Sequence, residues 1–319
     1  MKTEEEVLRV LPAKIRQLCK NCSLDYADLQ EIRLRIGQPV LLLYHGKEFF
    51  LNEKGGMGVE LNDAHCVTGE EMREIIQYMS DYSLYAFEQE IRQGFLTIHG
   101  GHRVGIAGKV VMEQGKVKGI SSIGMINIRL AHERKGCSRE ILPQIRNGNS
   151  IYHTLIVSPP GGGKTTLLRD LIRELASGRE RITVGVVDER SELGACYMGV
   201  PQNDLGFRRD VMDGCPKTEA LWMLLRSMAP DVLAVDEIGT KEDIEAVYYG
   251  MHCGCKILAT AHGVSMEELM GKKNMQELLE GNGGFEKVVL LENRFCVGKV
   301  KAIYRKENKI WEREDKKVW

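Results

Sequence analysis

Residues 3–20 place Val7, Leu8, Leu11, Ile15 and Leu18 on one side at helical spacing, which predicts a helix with a buried stripe, either continuous or divided at Pro12. From Glu31 the period shortens to two. EIRLRIG and PVLLLYHG predict two strands joined at Gly37 to Pro39, and EFFLN a short third. Lys54 to Gly58 reads as a glycine-rich loop. Thr68 and Glu71 have capping-box spacing and open a helix carrying Met72, Ile75, Ile76 and Met79, and Asp81 caps a further helix running to Arg92. FLTIH, GGHRVGIAGKVVM, KVKGISSIG and MINIRLA, with a turn at Gln114-Gly115, predict strands of one sheet. Residues 1–130 are therefore expected to form a smaller α+β domain.

The pattern changes after a polar connection, Ala131 to Ser150, which contains Pro143 and predicts a short helix. Beyond it the apolar positions come in short continuous runs, in TLIV, VGVV, DVLAV and KILATA, separated by helical stretches such as LLRDLIRELA. Continuous runs of this kind suit parallel strands buried on both faces. Their carboxyl ends collect polar residues, which is where α/β sheets bind ligands. FEKVVLLE and VKAIYRK predict two more strands before a charged tail to Trp319. The second domain is expected over 131–319 and to be α/β.

At 319 residues the chain is long enough for two domains with sizeable cores. Lys plus Arg number 44 against 45 Asp plus Glu, a formal net charge of -1, so no global basic field argues for nucleic acid. No apolar run approaches the roughly 20 residues that span a bilayer, and the amino-terminal stretch lacks the apolar core of a signal peptide. Nine scattered cysteines suit free thiols in a reducing cytoplasm better than a disulfide framework, and Cys19 with Cys22 reads as a structural pair.

The chemistry centres on Ser158, Pro159, Pro160, Gly161, Gly162, Gly163, Lys164, Thr165 and Thr166, a glycine loop between a strand and a helix. In that context loop N–H groups and the helix N-terminus cradle phosphates, Lys164 reaches the β and γ oxygens of ATP, and Thr165 ligates Mg2+. Ser158 replaces the usual first glycine and fits if its φ stays negative. Asp236 and Glu237 end an apolar strand 72 residues after Lys164, a Walker-B arrangement. Asp236 would hold the magnesium opposite Thr165, and Glu237 would polarise the attacking water. Asp188 and Glu189 end another strand; either one of them, Glu189 before Asp188, assists the metal or the water, or Arg190 and Glu192 make the stretch a salt-bridged loop. His262 ends a third strand, where it can hydrogen-bond the γ-phosphate. P-loop enzymes commonly add an arginine, for which Arg103 and Arg129 are the leading candidates and Arg208 and Arg209 the others.

LLRSMAPDVLAVDEIGTKEDIEAV resembles the Walker-B block of the type II and type IV secretion and pilus ATPases, and GCKILATAHG resembles their histidine box. VVDERSE sits where their aspartate box falls, and SSIGMINIRLA resembles the strand leading into their motor domain. Within that superfamily, GGHRVGIAG, DVMDGCPK, RSMAPDVLAVDEIG and SPPGGGKTTLLRD together resemble the stage III sporulation AA family, ATPases of a mother-cell to forespore channel. The resemblance implies a RecA-like P-loop NTPase domain behind the α+β domain. It further implies ATP with Mg2+, a homo-hexameric ring, and docking at the cytoplasmic face of a membrane-embedded channel or secretion complex. The competing reading is a RecA-like ATPase acting on single-stranded nucleic acid, and a third is a slow nucleotide-dependent switch. Against the nucleic-acid reading, the carboxyl-terminal stretch interleaves no aromatic stacking platform with its basic residues.

Overall fold

The computed structural model describes residues 2–80, 88–281, 283–292, 298–307 and 310–314. The chain divides into two compact units, Met1–His132 and Glu133–Trp319.

In the first unit Pro12 divides the predicted amino-terminal helix into α1 (Lys2–Arg9) and α2 (Ala13–Asn21). A proline has no N–H to donate and suits the position just before a helix, so the second segment starts there. Strands β1 (Leu29–Arg35), β2 (Leu41–Tyr44), β3 (Lys47–Leu51) and β4 (Met57–Gly58) follow, then α3 (Gly69–Met79) and α4 (Glu88–Gln93). Thr68 and Glu71 form the reciprocal capping box at the start of α3, and the predicted cap at Asp81 lies outside the described residues. Strands β5 (Phe95–Thr97), β6 (Arg103–Glu113) and β7 (Lys116–Arg129) complete an antiparallel sheet of order β4-β3-β2-β1-β7-β6-β5.

KVKGISSIG and MINIRLA, expected as two strands, are one strand, β7, pairing with β6 along its length. The glycines that suggested a break serve the bulged register instead. At Gly108 a Cβ would stand 1.8 Å from the Ser122 carbonyl oxygen, so only glycine lets the two strands pass. Cys19 is buried, and burial pushes its thiol up to about 12. Cys22 Sγ accepts the Gly56 N–H at 3.1 Å.

The second unit opens with α5 (Leu142–Ile145) and the small hairpin β8 (Arg146–Asn147) and β9 (Ser150–Ile151). Its main elements are β10 (Thr154–Ser158), α6 (Lys164–Ser177), β11 (Val184–Asp188), β12 (Arg209–Asp213), α7 (Lys217–Ser227), β13 (Val232–Val235), α8 (Lys241–His252) and β14 (Lys256–His262). They are followed by α9 (Met266–Gly271), α10 (Lys273–Glu280), β15 (Lys287–Leu291), β16 (Val300–Glu307) and β17 (Ile310–Glu314). The sheet order is β12-β11-β13-β14-β10-β15-β16-β17, parallel from β12 to β15 and antiparallel beyond. β12 and β17 were not read from the sequence, and β17 falls in the stretch expected to be a charged tail.

Two apolar layers explain the continuous runs. Leu155, Val157, Leu233, Val235 and Ile257 face one side with Leu221, Leu224, Ile244 and Leu278 from the helices. Ile156, Val186, Ala234 and Leu258 face the other with Leu167, Leu168, Leu171 and Ile172 of α6. Alternate residues of β10, β11, β13 and β14 thus enter opposite cores, so these strands read as nearly continuous apolar runs. No helix among the described residues is long and apolar enough to cross a membrane.

Candidate active site

The strand β10 ends at Ser158, and residues 159–163 turn the chain into α6. Gly161 and Gly163 hold φ values of 76° and 91°, in the left-handed region. Gly162 is constrained by space: a Cβ there would stand 2.8 Å from both Cβ and Oγ of Ser158 and 3.0 Å from the Glu292 carbonyl oxygen. Ser158 itself stays in the ladder, paired with His262, and its Oγ donates to the Pro159 carbonyl at 2.9 Å. The loop therefore houses serine without a left-handed turn. Pro159 and Pro160 carry the turn, and the Gly162 N–H closes it on the Pro159 carbonyl at 3.1 Å. Thr165 and Thr166 lie in the first turn of α6, whose free N–H groups favour anions.

One strand, β14, separates β10 from β13. Its register sets His262 level with Ser158 and Ala259 level with Val235, so Thr260 stands beside Asp236. Thr260 and His262 are two apart and share a face. Thr165 Oγ1 donates to Asp236 Oδ2 at 2.8 Å, and Thr260 Oγ1 donates to the other oxygen, Oδ1, at 2.5 Å. Thr260 Oγ1 also accepts the Glu237 N–H at 2.7 Å. Glu237 holds a φ of 58°, a conformation that costs a non-glycine residue on the order of 1 kcal/mol.

The Glu237 carboxylate is gripped on both oxygens: Oε1 meets His262 Nε2, and Oε2 accepts from Arg190 Nη1 at 2.8 Å. Burial alone would raise its pKa, but the His262 hydrogen bond and the charges of Arg190 and Lys164 hold it below the ordinary carboxylate value. Lys164 is 9% exposed, and its Nζ stands 3.4 Å from His262 Nε2. A buried ammonium whose nearest polar partner is an imidazole is matched by an anionic ligand. His262 Nδ1 is buried without a hydrogen-bond partner among the described residues.

Asp188 ends β11 and is 2% exposed. It accepts the N–H groups of Glu192 at 2.8 Å, Leu193 at 3.0 Å and Gly194 at 2.7 Å, yet burial still leaves its pKa raised. From α6, Arg169 donates to the carbonyls of Glu192 at 2.6 Å and Leu193 at 3.1 Å. Asp188 is thus the organiser of a loop. Glu189 pairs with Lys217 at 2.6 Å and borders the small cavity that Asp236 and Glu237 also line.

The arginine candidates are placed differently from one another. Arg103, on β6, has its guanidinium 3.8 Å above the Phe95 ring, and Arg129, ending β7, has Nε 3.5 Å from Glu31 Oε1. Arg208 donates to the carbonyls of Ala176 and Gly178 and so closes the end of α6, whereas Arg209 is a ladder residue of β12. Three side chains that organise the site escaped the sequence reading: Thr260, Arg169 and, as a partner of Glu237, Arg190. Only Thr260 carried a signal, its same-face spacing with His262.

The sequence profile described as "Sporulation stage III, protein AA" matches residues 1–310. Stage III sporulation protein AA of Bacillus subtilis (strain 168) is 38% identical over 312 residues, 97% of this chain and 97% of that protein. In fold the chain is similar to the Legionella pneumophila ATPase DotB, with a TM-score of 0.53, 15% identity, and coverage of 83% of this chain and 72% of that one. It is also similar to the pilus retraction motor PilT with bound ADP, with a TM-score of 0.56, 14% identity, and coverage of 84% and 78%. The fold is thus that of the secretion and pilus ATPases, and with the profile and the Bacillus relative each spanning nearly its whole length, the chain belongs to the sporulation stage III protein AA family.

Proposed function

We propose that this chain is a magnesium-dependent ATPase that drives a secretion-type complex, the mother-cell to forespore channel of endospore formation. The observation that carries the reading is the convergence of Lys164, Thr165, Asp236, Glu237 and His262 at the carboxyl ends of three adjacent strands. The loop N–H groups and Lys164 bind the phosphates of ATP, the substrate. Mg2+, held by Thr165 and Asp236, would neutralise charge on those phosphates. Glu237, a carboxylate ionised at neutral pH, orients the attacking water and takes its proton. His262, between Lys164 and Glu237, responds to the γ-phosphate.

The likeness to pilus and secretion motors supports a homo-hexamer at the inner face of a membrane complex, with an arginine of a neighbouring subunit, Arg103 before Arg129, completing the phosphate site. Lys164→Ala tests the nucleotide assignment. Nucleotide binding is expected to vanish while thermal unfolding stays near the parent, and a variant that binds ATP like the parent contradicts the reading. Turnover unchanged by single-stranded nucleic acid is expected of this motor; strong stimulation assigns it to nucleic acid instead.

A further inference from the structure

We infer that Arg190 positions the Glu237 carboxylate, a role that rests on the reading of Glu237 as the acid that orients water. Glu237 lies beyond the end of β13, and its φ of 58° takes it out of the ladder geometry that aims strand side chains. Thr260 fixes its N–H, but the carboxylate is aimed by whatever grips its two oxygens. His262 holds Oε1 and Arg190 holds Oε2 at 2.8 Å. Each oxygen has two lone pairs, so one donor apiece fixes the group and still leaves an acceptor site for water. A donor on each oxygen resists rotation more than one does, and the base then meets its water in a defined direction.

Arg190 is itself placed by the nucleotide-binding frame. It stands two residues after Asp188, whose carboxylate gathers the N–H groups of residues 192–194. Arg169, one of the residues of α6, clamps the carbonyls of Glu192 and Leu193. The segment carrying Arg190 is therefore anchored both to β11 and to the helix that begins with Lys164 and Thr165. Arg190 and Glu237 together line a cavity of about 570 Å³ that reaches His262 and Lys272, which gives water and product room beside the carboxylate. The Arg190 side chain is 62% exposed, so its ion pair contributes little to folding, and a large effect of its removal on turnover reports on the site and not on stability.

The test is a double-mutant cycle of Arg190→Ala and Glu237→Gln, with Arg190→Lys as the conservative variant, read in single-turnover hydrolysis, nucleotide affinity and thermal unfolding. Arg190→Ala is expected to lower the hydrolysis rate by about 10²-fold, with affinity and unfolding temperature near the parent's. Arg190→Lys recovers part of the rate. In the Glu237→Gln background, Arg190→Ala adds no further loss, because a positioning residue has nothing left to position. Losses that multiply, an affinity that falls with the rate, or a parental rate in Arg190→Ala each overturn the proposal. Parental turnover in Glu237→Gln alone is a different failure: it removes Glu237 from its assigned role and with it the basis for Arg190.

Discussion

Thr165 Oγ1, in the first turn of α6, donates a 2.8 Å hydrogen bond to Asp236 Oδ2, just beyond β13, although β14 separates β13 from β10, the strand that leads into α6. A hydroxyl at the start of the P-loop helix and a carboxylate ending the next strand but one are both oxygen ligands suited to a hard divalent cation. Asp236→Asn keeps the shape and removes the charge. The magnesium concentration for half-maximal ATP hydrolysis is expected to rise by about 10-fold or more. A magnesium titration that superimposes on the parent's rules out Asp236 as the metal's partner.

Gly162→Ala tests the cradle itself. The added methyl group would meet Ser158 Cβ and Oγ at 2.8 Å and the Glu292 carbonyl oxygen at 3.0 Å, all parts of the loop or of the backbone behind it. The loop must move, with a loss of about 1–3 kcal/mol in stability and a collapse of nucleotide affinity. Chemical denaturation and nucleotide titration of the same preparation measure both; unchanged affinity contradicts the close approach.

Acid sensitivity is expected from His153. Its Nδ1 accepts the Ile257 N–H at 3.1 Å, so that nitrogen carries no proton, and burial first, then the charge of Lys256, lowers the pKa from 6.5 to about 4. Above pH 6.5 the ring is neutral in both folded and unfolded chains, and its contribution is flat. Between 6.5 and 4 the unfolded chain takes up a proton that the folded one refuses, so stability falls as pH falls, by about 3 kcal/mol. His153→Asn keeps an acceptor near the Nδ1 position and removes the titration. Denaturation of parent and variant at pH 7.5 and 4.5 should show the smaller loss in the variant; equal losses contradict the assignment.

The proposed completion of the site by a neighbouring subunit's arginine predicts complementation. Lys164→Ala and Arg103→Ala are each expected to be inactive, and mixing them should restore part of the turnover, since a mixed interface joins an intact P-loop to an intact arginine. Turnover per subunit should also rise with protein concentration. A mixture that co-assembles and stays inactive places the arginine elsewhere.

The residues legible in the sequence are those whose chemistry needs neighbours along the chain. Lys164 and Thr165 follow three glycines in one contiguous loop that leads into a helix, and Asp236 and Glu237 declare themselves by ending an apolar run. The α3 cap at Thr68 and Glu71 was legible for the same reason, as a contact of span three. Thr260, Arg169 and Arg190 were not, because each acts on residues 20 or more positions away and shows its partner only once the strands are in order. The continuous β7 was misread because glycines mark both breaks and bulges, and only the partner strand decides between them. β17 looked like a tail because its exposed face is charged, yet Trp311 packs on the core and donates to the Leu279 carbonyl at 3.2 Å.

The most direct measurement is phosphate release from ATP with magnesium by the parent and by Glu237→Gln, alongside nucleotide binding by both. The Gln side chain keeps the shape and the strained backbone of Glu237 and removes the base. The parent is expected to hydrolyse ATP, and the variant to bind it equally while turning over at least about 10²-fold more slowly. A variant that hydrolyses like the parent, or a parent that binds nucleotide and releases no phosphate, contradicts the account.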